Sequence, residues 1–324
     1  MKLVEQMLKG NALALSRLIS KVERESAEVP ELMKSIHPHI GKAHCVGITG
    51  PPGVGKSTIA DKLIAWMRKK DLKVGVIAID PSSPFTGGAV LGDRIRMQHH
   101  SVDEGVFIRS VAARGVSGGL PQTTSEVIKL MDASGKDIIL VETVGCGQSE
   151  LDIMKNVDTL IVALAPESGD AVQTMKAGLC EVADIFVVNK ADRPGAQDFA
   201  LELQAMLWIS SGREWWKVPI ITTEAVTDVG IEELFREVER HYQVLGETGQ
   251  LFQRRRQQRR EQFIRKIEWK ITTELRKAIE QDGRLSDYLD KIEAGNIDPQ
   301  LAADEVLKSG DFLAEWSHRL LAQK

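Results

Sequence analysis

The stretch Gly50-Pro51-Pro52-Gly53-Val54-Gly55-Lys56-Ser57 sets glycines, a lysine and a hydroxyl at the spacing GxxxxGK[ST]. Small residues there let successive backbone N–H groups curl around phosphate oxygens without a Cβ clash. A helix opening near Thr58 adds the favourable field of its N-terminus. At this spacing the Lys56 ammonium would reach β- and γ-phosphates, and the Ser57 hydroxyl would coordinate Mg²⁺. The motif is short enough to arise by chance. Here it follows the β-branched run Val46–Thr49 and precedes a helical pattern, the context it requires.

A second constellation is Asn189-Lys190-Ala191-Asp192, at the end of the apolar run Ile185–Val188. A carboxylate at Asp192 can accept hydrogen bonds from the N1–H and 2-amino group of guanine. Adenine has neither donor, so its binding would leave the carboxylate unpaired, and sites of this kind discriminate by roughly 10⁴ or more. Thr222-Thr223-Glu224-Ala225, after a later apolar run, stands where backbone groups could close over the base. The expected nucleotide contacts are therefore residues 50–58, Asn189, Lys190, Asp192, Thr223, Glu224 and Ala225.

Three acidic residues could complete a metal site with Ser57. Asp80 ends VGVIAID, Asp93 lies in Leu-Gly-Asp-Arg, and Glu142 ends DIILVE. Mg²⁺ takes hard oxygen ligands and keeps several waters, so some of these would act through water or align the nucleophile, Asp93 among them. Guanine-nucleotide hydrolases commonly carry DxxG at the third motif, followed by a water-positioning glutamine. Here it is Glu142-Thr143-Val144-Gly145, then Cys146, with Gln148 beyond. That departure predicts slow unassisted hydrolysis, below about 10⁻² s⁻¹. Besides Lys56, which holds the phosphates, Arg94, Arg96, Arg109, Arg114 and Lys176 are candidates to stabilise transition-state charge, most of them expected to be ordinary surface residues.

The elements that must position these residues are legible from periodicity. Leu15, Leu18, Ile19 and Val22 share one helical face before Pro30, Pro38 and Gly41 interrupt the chain. From Cys45, short β-branched runs (Cys45–Thr49, Val74–Asp80, Val106–Arg109, Ile138–Val141, Leu160–Leu164, Ile185–Asn189 and Pro219–Thr222) alternate with helical stretches such as Thr58–Lys70, Thr123–Met131, Ala171–Val182 and Phe199–Trp208. Strand and helix in alternation predict an α/β fold with a mostly parallel sheet flanked by helices. Ligands of such sheets bind beyond the carboxyl ends of the strands, which is where the motifs fall. After Gly246 the chain turns basic (QRRRQQRREQF), and Phe263, Ile267, Ile271 and Leu275 then recur every four residues on one helical stripe. Three regions are expected: an N-terminal helical segment (1–43), a nucleotide domain (44–245) and a C-terminal helical arm (246–324).

Composition limits the alternatives. The 324 residues are 43% hydrophobic and 27% charged with net charge −4, ordinary for a soluble chain and without a general pull toward nucleic acid or membrane. Three scattered cysteines predict reduced thiols, and the N-terminus carries Glu5 and no signal-peptide core, which together predict a cytoplasmic protein. No apolar run approaches the roughly 20 residues of a membrane span. Five arginines between Arg254 and Arg260 could contact phosphates, but no aromatic residues interleave them, and a charged face ahead of a packing helix is the simpler reading.

With these motifs placed, the chain resembles the G-protein chaperones of adenosylcobalamin-dependent methylmalonyl-CoA mutase, the ArgK/MeaB type. GITGPPGVGKST, VIAIDPSSPFTGGAVLGDRIRM, GVFIRSVAARGVSGGL, ILVETVGCGQSE and VVNKAD carry the likeness over nearly the whole chain. The resemblance implies a P-loop GTPase, a homodimer formed through the C-terminal arm, and GTP-gated cofactor loading or protection of the mutase. It also implies that Gly169–Lys176 couples the partner to hydrolysis, with Lys176 as the transition-state residue; Ala171-Val172 there departs from the more polar pair expected. Two alternatives are a metallochaperone GTPase, with His99, His100 and Cys146 as ligands, and a P-loop ATPase or kinase linked to amino-acid transport, against which Asn189–Asp192 argues.

Overall fold

A computed structural model describes residues 2–80, 97, 100, 102–112, 123–143, 152–167, 179–209, 213–281, 283–308, 310 and 314. The chain divides into two compact units, residues 1–258 and 259–324.

The first unit is built on seven parallel strands: β1 (His44–Thr49), β2 (Val74–Asp80), β3 (Val106–Ala112), β4 (Ile138–Glu142), β5 (Thr159–Leu164), β6 (Ile185–Asn189) and β7 (Ile220–Thr223). Their order in the sheet is β3-β2-β4-β1-β5-β6-β7. The predicted α/β class is observed. The strands are continuous apolar runs because both faces are covered, and alternate residues supply two separate cores.

One core takes Ile77, Ile79, Ile139, Val141, Leu160, Val162, Phe186 and Val188, against Met7, Leu15, Leu18 and Ile19 of the N-terminal helices and Val127, Leu130 and Met131 of the helix Thr124–Ala133. The other takes Val46, Ile48, Val74, Val76, Leu140, Ile161, Ile185 and Val187. It is closed by Ile59, Leu63 and Met67 of the helix Lys56–Lys69 and by Ile231, Leu234, Phe235 and Val238 of the helix Ile231–Glu247. The N-terminal helices thus belong to the core of the sheet. From β1 the chain winds to β2 and β3 on one side and later to β5, β6 and β7 on the other. The carboxyl end of β1 therefore lies where the winding changes direction, the position such sheets use for ligands.

The opposite end of the sheet is held by buried charge. Asp158 and Asp184 immediately precede β5 and β6, and both are excluded from solvent. Asp184 accepts from the Leu160 N–H (2.8 Å), from both terminal nitrogens of Arg254 (2.7 and 2.9 Å) and from Arg213, with His241 Nε2 at 3.4 Å. Arg255 grips Asp158 in the same two-pronged way (2.9 and 2.7 Å) and donates to the Gly41 and Ala43 carbonyls. Burial pushes the Asp184 carboxyl up, but the nearby His241 ring and the hydrogen bonds from Arg254 outweigh it and hold the group well below the usual carboxylate range. Burial pushes His44, stacked on Tyr242 with ring centroids 4.0 Å apart, down to about 3, so it sits there as a neutral imidazole bonded to Thr159 Oγ1 at 2.7 Å.

These contacts assign the start of the arginine run. The helix Gln250–Gln281 begins ahead of it, and Arg254 and Arg255 bind the strand starts. On the same helix, within the second unit, Phe263, Ile267 and Ile271 of the predicted apolar stripe are exposed, at 66%, 42% and 40%. No helix among the described residues is long and apolar enough to cross a membrane.

Removing one partner of a buried, hydrogen-bonded ion pair strands the other charge, at a cost of about 3–5 kcal/mol. Asp184→Ala is expected to lower the unfolding free energy by that amount in urea titrations. A loss below about 1 kcal/mol would mean that Arg254 and Arg213 are stabilised elsewhere.

Candidate nucleotide site

The strand register assembles the predicted motifs at one edge. Ile48 and Ala78 both lie level with Glu142, so the carboxyl ends of β1, β2 and β4 meet there. Asn189 pairs with Thr223, which joins the ends of β6 and β7. Thr49 Oγ1 and Thr143 Oγ1 share a hydrogen bond of 2.9 Å just beyond the strands, fixing the exit of β4 against that of β1.

Residues 50–55 form a turn between β1 and the helix Lys56–Lys69, as the sequence predicts. Two glycines in it are required by geometry. A Cβ on Gly50, at φ +138°, would lie 1.9 Å from the Ala163 carbonyl oxygen, and one on Gly55, at φ +97°, would lie 2.4 Å from Asn189 Nδ2. Only glycine allows the loop to approach β5 and β6 this closely. The helix starts with the Ile59 N–H bonded to the Gly55 carbonyl at 3.0 Å. Lys56 and Ser57 are therefore in its first turn, both buried. The Lys56 ammonium bends back over the loop and donates to the Gly50 and Pro51 carbonyls at 2.8 and 2.9 Å, across the mouth of the turn.

Ser57 Oγ donates to Glu142 Oε1 at 2.5 Å, and both residues are buried. A hydroxyl in the first turn of the phosphate-loop helix and a carboxylate at the end of β4 are the hard oxygen donors that Mg²⁺ takes, so the residues present fit that ion. Asp80 ends β2 two residues beyond Ala78, on the same edge. Asp93, Cys146, Gln148, Lys176 and the stretch 169–176 lie outside the described residues, as do Arg94, Arg96, Arg114 and His99.

Asn189 is the joint of the site. Its Nδ2 donates to the Val54 carbonyl at 2.8 Å, and its Oδ1 accepts from Thr223 Oγ1 at 3.0 Å and from the Ala225 N–H at 3.1 Å. The Ala191 N–H reaches the Thr223 carbonyl at 3.0 Å. The Thr223–Ala225 segment thus braces the base loop, with the Ala225 N–H directed at Asn189 and the Glu224 N–H at the Val229 carbonyl (3.0 Å). The Asp192 side chain is exposed, with no hydrogen-bond or ion-pair partner among the described residues.

Two residues named from sequence are engaged elsewhere. Arg109 is held by Glu23 and by Ser20 Oγ (3.1 Å) on an N-terminal helix and is no transition-state cation here. His100 is buried against Asp61 (3.1 Å), whose hydrogen bond raises its pKa above the ordinary imidazole value. No group of three or more metal-binding side chains occurs among the described residues. Sequence reasoning missed Glu167, just beyond β5, which pairs with Arg193 and lies 4.0 Å from the Lys190 ammonium. Its only signal was an acidic residue after a strand end.

A parallel sheet with a phosphate loop at its winding change and an Asn-Lys-Ala-Asp loop braced to it defines the P-loop GTPases. Residues 15–280 match the family described as methylmalonyl Co-A mutase-associated GTPase MeaB, and the chain belongs to that family. A putative GTPase of Pyrococcus abyssi is 47% identical over 313 residues, covering 95% of each chain. The GTPase ArgK of Escherichia coli is 34% identical over 287 residues, covering 86% of this chain and 83% of its own. A mouse protein named methylmalonic aciduria type A homolog, mitochondrial, is 32% identical over 268 residues, 82% of this chain and 65% of its own length. Among solved structures, one titled LAO/AO transport system kinase superposes with a TM-score of 0.71 at 27% identity, over 95% of this chain and 96% of that one. The chain is accordingly a GTPase.

Asp192→Asn replaces an acceptor with an amide that can donate to the 2-oxygen of xanthine. The variant is expected to exchange GTP for xanthosine triphosphate as its better substrate in steady-state phosphate release. Unchanged GTP preference would mean that the base is read elsewhere.

Proposed function

We propose that this GTPase is Mg²⁺-dependent and acts as the chaperone of an adenosylcobalamin-dependent methylmalonyl-CoA mutase, its nucleotide state gating cofactor loading or protecting the holoenzyme. The observation that carries the reading is the match of residues 15–280 to a family named for association with that mutase, on a site whose third motif is Glu142-Thr143-Val144-Gly145. The relative named after methylmalonic aciduria supports it. A cytoplasmic location fits a chain with this client.

In the proposed mechanism the residue 50–55 turn cradles the phosphates with backbone N–H groups, and the buried Lys56 ammonium turns from the Gly50 and Pro51 carbonyls toward the β- and γ-oxygens. Ser57 and Glu142 would hold the metal, and Asp80 and Asp93 are the further acidic residues that would contribute to it. A Mg²⁺ ion held there would supply positive charge against the charge that develops on the phosphate oxygens. Asn189, Lys190 and Asp192 receive the base, with Thr223, Glu224 and Ala225 bracing that loop. Lys176 is the proposed cation for the transition state.

No glutamine directly follows Gly145, so hydrolysis waits on the partner. The exposed apolar stripe of Phe263, Ile267 and Ile271 supports the proposed homodimer.

Steady-state GTP turnover with and without the purified mutase of the same organism tests the reading. Stimulation beyond about tenfold is expected, as for switches completed by a partner. Absence of stimulation with basal turnover intact would keep the nucleotide site and exclude this client.

A further inference from the structure

The base loop carries two cations beside the carboxylate that is proposed to read guanine. Lys190 stands two residues before Asp192 and Arg193 directly after it. The loop is tight. Lys190 adopts φ +60°, unusual for a residue with a side chain, and the Arg193 N–H closes the turn on the Lys190 carbonyl at 3.0 Å. In so short a turn either cation could fold onto the exposed Asp192 carboxylate and occupy its acceptor oxygens. Both are drawn elsewhere. Glu167, reaching over from the end of β5, pairs with the Arg193 guanidinium and stands 4.0 Å from the Lys190 ammonium, while Asp192 keeps no partner among the described residues.

We propose that Glu167 is a specificity-positioning residue: it sequesters Arg193 and Lys190 so that the Asp192 carboxylate stays open to the N1–H and 2-amino group of guanine. The inference rests on the guanine reading of this loop and adds the group that keeps the reader available. Guanine recognition by a carboxylate depends on two acceptor oxygens being unoccupied, and an intramolecular cation at high effective concentration is their strongest competitor. The Glu167, Lys190 and Arg193 side chains are 56%, 28% and 39% exposed, so the effect is screened by salt and is largest at low ionic strength.

The test is GDP affinity in a suppressor series, measured by fluorescent-nucleotide displacement on the full chain at low and high salt. Glu167→Gln should weaken GDP by roughly fivefold at low salt, in the range of exposed ion pairs, and by less at high salt. Turnover at saturating GTP should stay within about twofold, because the phosphate groups are untouched. Glu167→Gln combined with Arg193→Gln should recover most of the lost affinity, since the competing cation is gone. Recovery separates sequestration from loop support: a bracing role would leave the double variant as weak as the single one, and that result would overturn the proposal. Unchanged GDP affinity in Glu167→Gln, with the wild type still preferring GDP to ADP, would overturn it as well while leaving the guanine reading standing. A wild type that binds ADP as tightly as GDP would overturn the guanine reading and this inference together.

Discussion

One buried amide organises the nucleotide site. Asn189 donates from Nδ2 to the phosphate loop at Val54 and accepts at Oδ1 from Thr223 and Ala225, so three loops leaving three strands meet on one side chain. An amide is the side chain that can donate on one arm and accept twice on the other; a carboxylate would lose the first bond and a hydroxyl could not span the distance. The approach is close enough that Gly55 cannot carry a Cβ. The glycine of the phosphate loop and the asparagine of the base loop are thus a single packing requirement, although 134 positions of sequence separate them. Because the group is buried, every one of its hydrogen bonds must be made, and that rigidity holds the residue 50–55 turn and the residue 189–192 loop at a fixed separation.

The sheet divides its chemistry between its two ends. At the carboxyl edge, Ser57 meets Glu142, and Lys56, in the same helical turn as Ser57, donates to the Gly50 and Pro51 carbonyls. At the amino edge, Asp158 and Asp184 are saturated by arginines of the helix Gln250–Gln281 and by backbone donors. Two-pronged arginine–carboxylate pairs fix orientation as well as distance. The starts of β5 and β6 are therefore anchored, and the far ends of those strands present Glu167 and Asn189 to the nucleotide loops.

Local motifs were legible in the sequence because each is a short run whose backbone and side chains act together. Residues 50–57 and 189–192, and the β-branched strands between them, sit where the spacing predicted. What the sequence could not show is which distant groups meet. The run Arg254–Arg260 looks like an uncommitted basic face until Asp158 and Asp184, buried some 70 or more positions earlier, are seen to bind its first two members. Arg109 sits in the order of the motifs yet faces Glu23 of an N-terminal helix. Thr223 and Ala225, expected at the base, also bond to Asn189, a bracing role that only the pairing of β6 with β7 reveals. Glu167 carries no motif at all; its meaning comes from the cations across the gap between two strand ends.

The central claim is that this edge of the sheet is a guanine-nucleotide site. Calorimetric titration of the full chain with GDP and with ADP, in Mg²⁺, tests it most directly. The account predicts that GDP binds about 10⁴-fold more tightly than ADP, the discrimination expected when a carboxylate must be satisfied by the base. Equal affinities for the two nucleotides would contradict it.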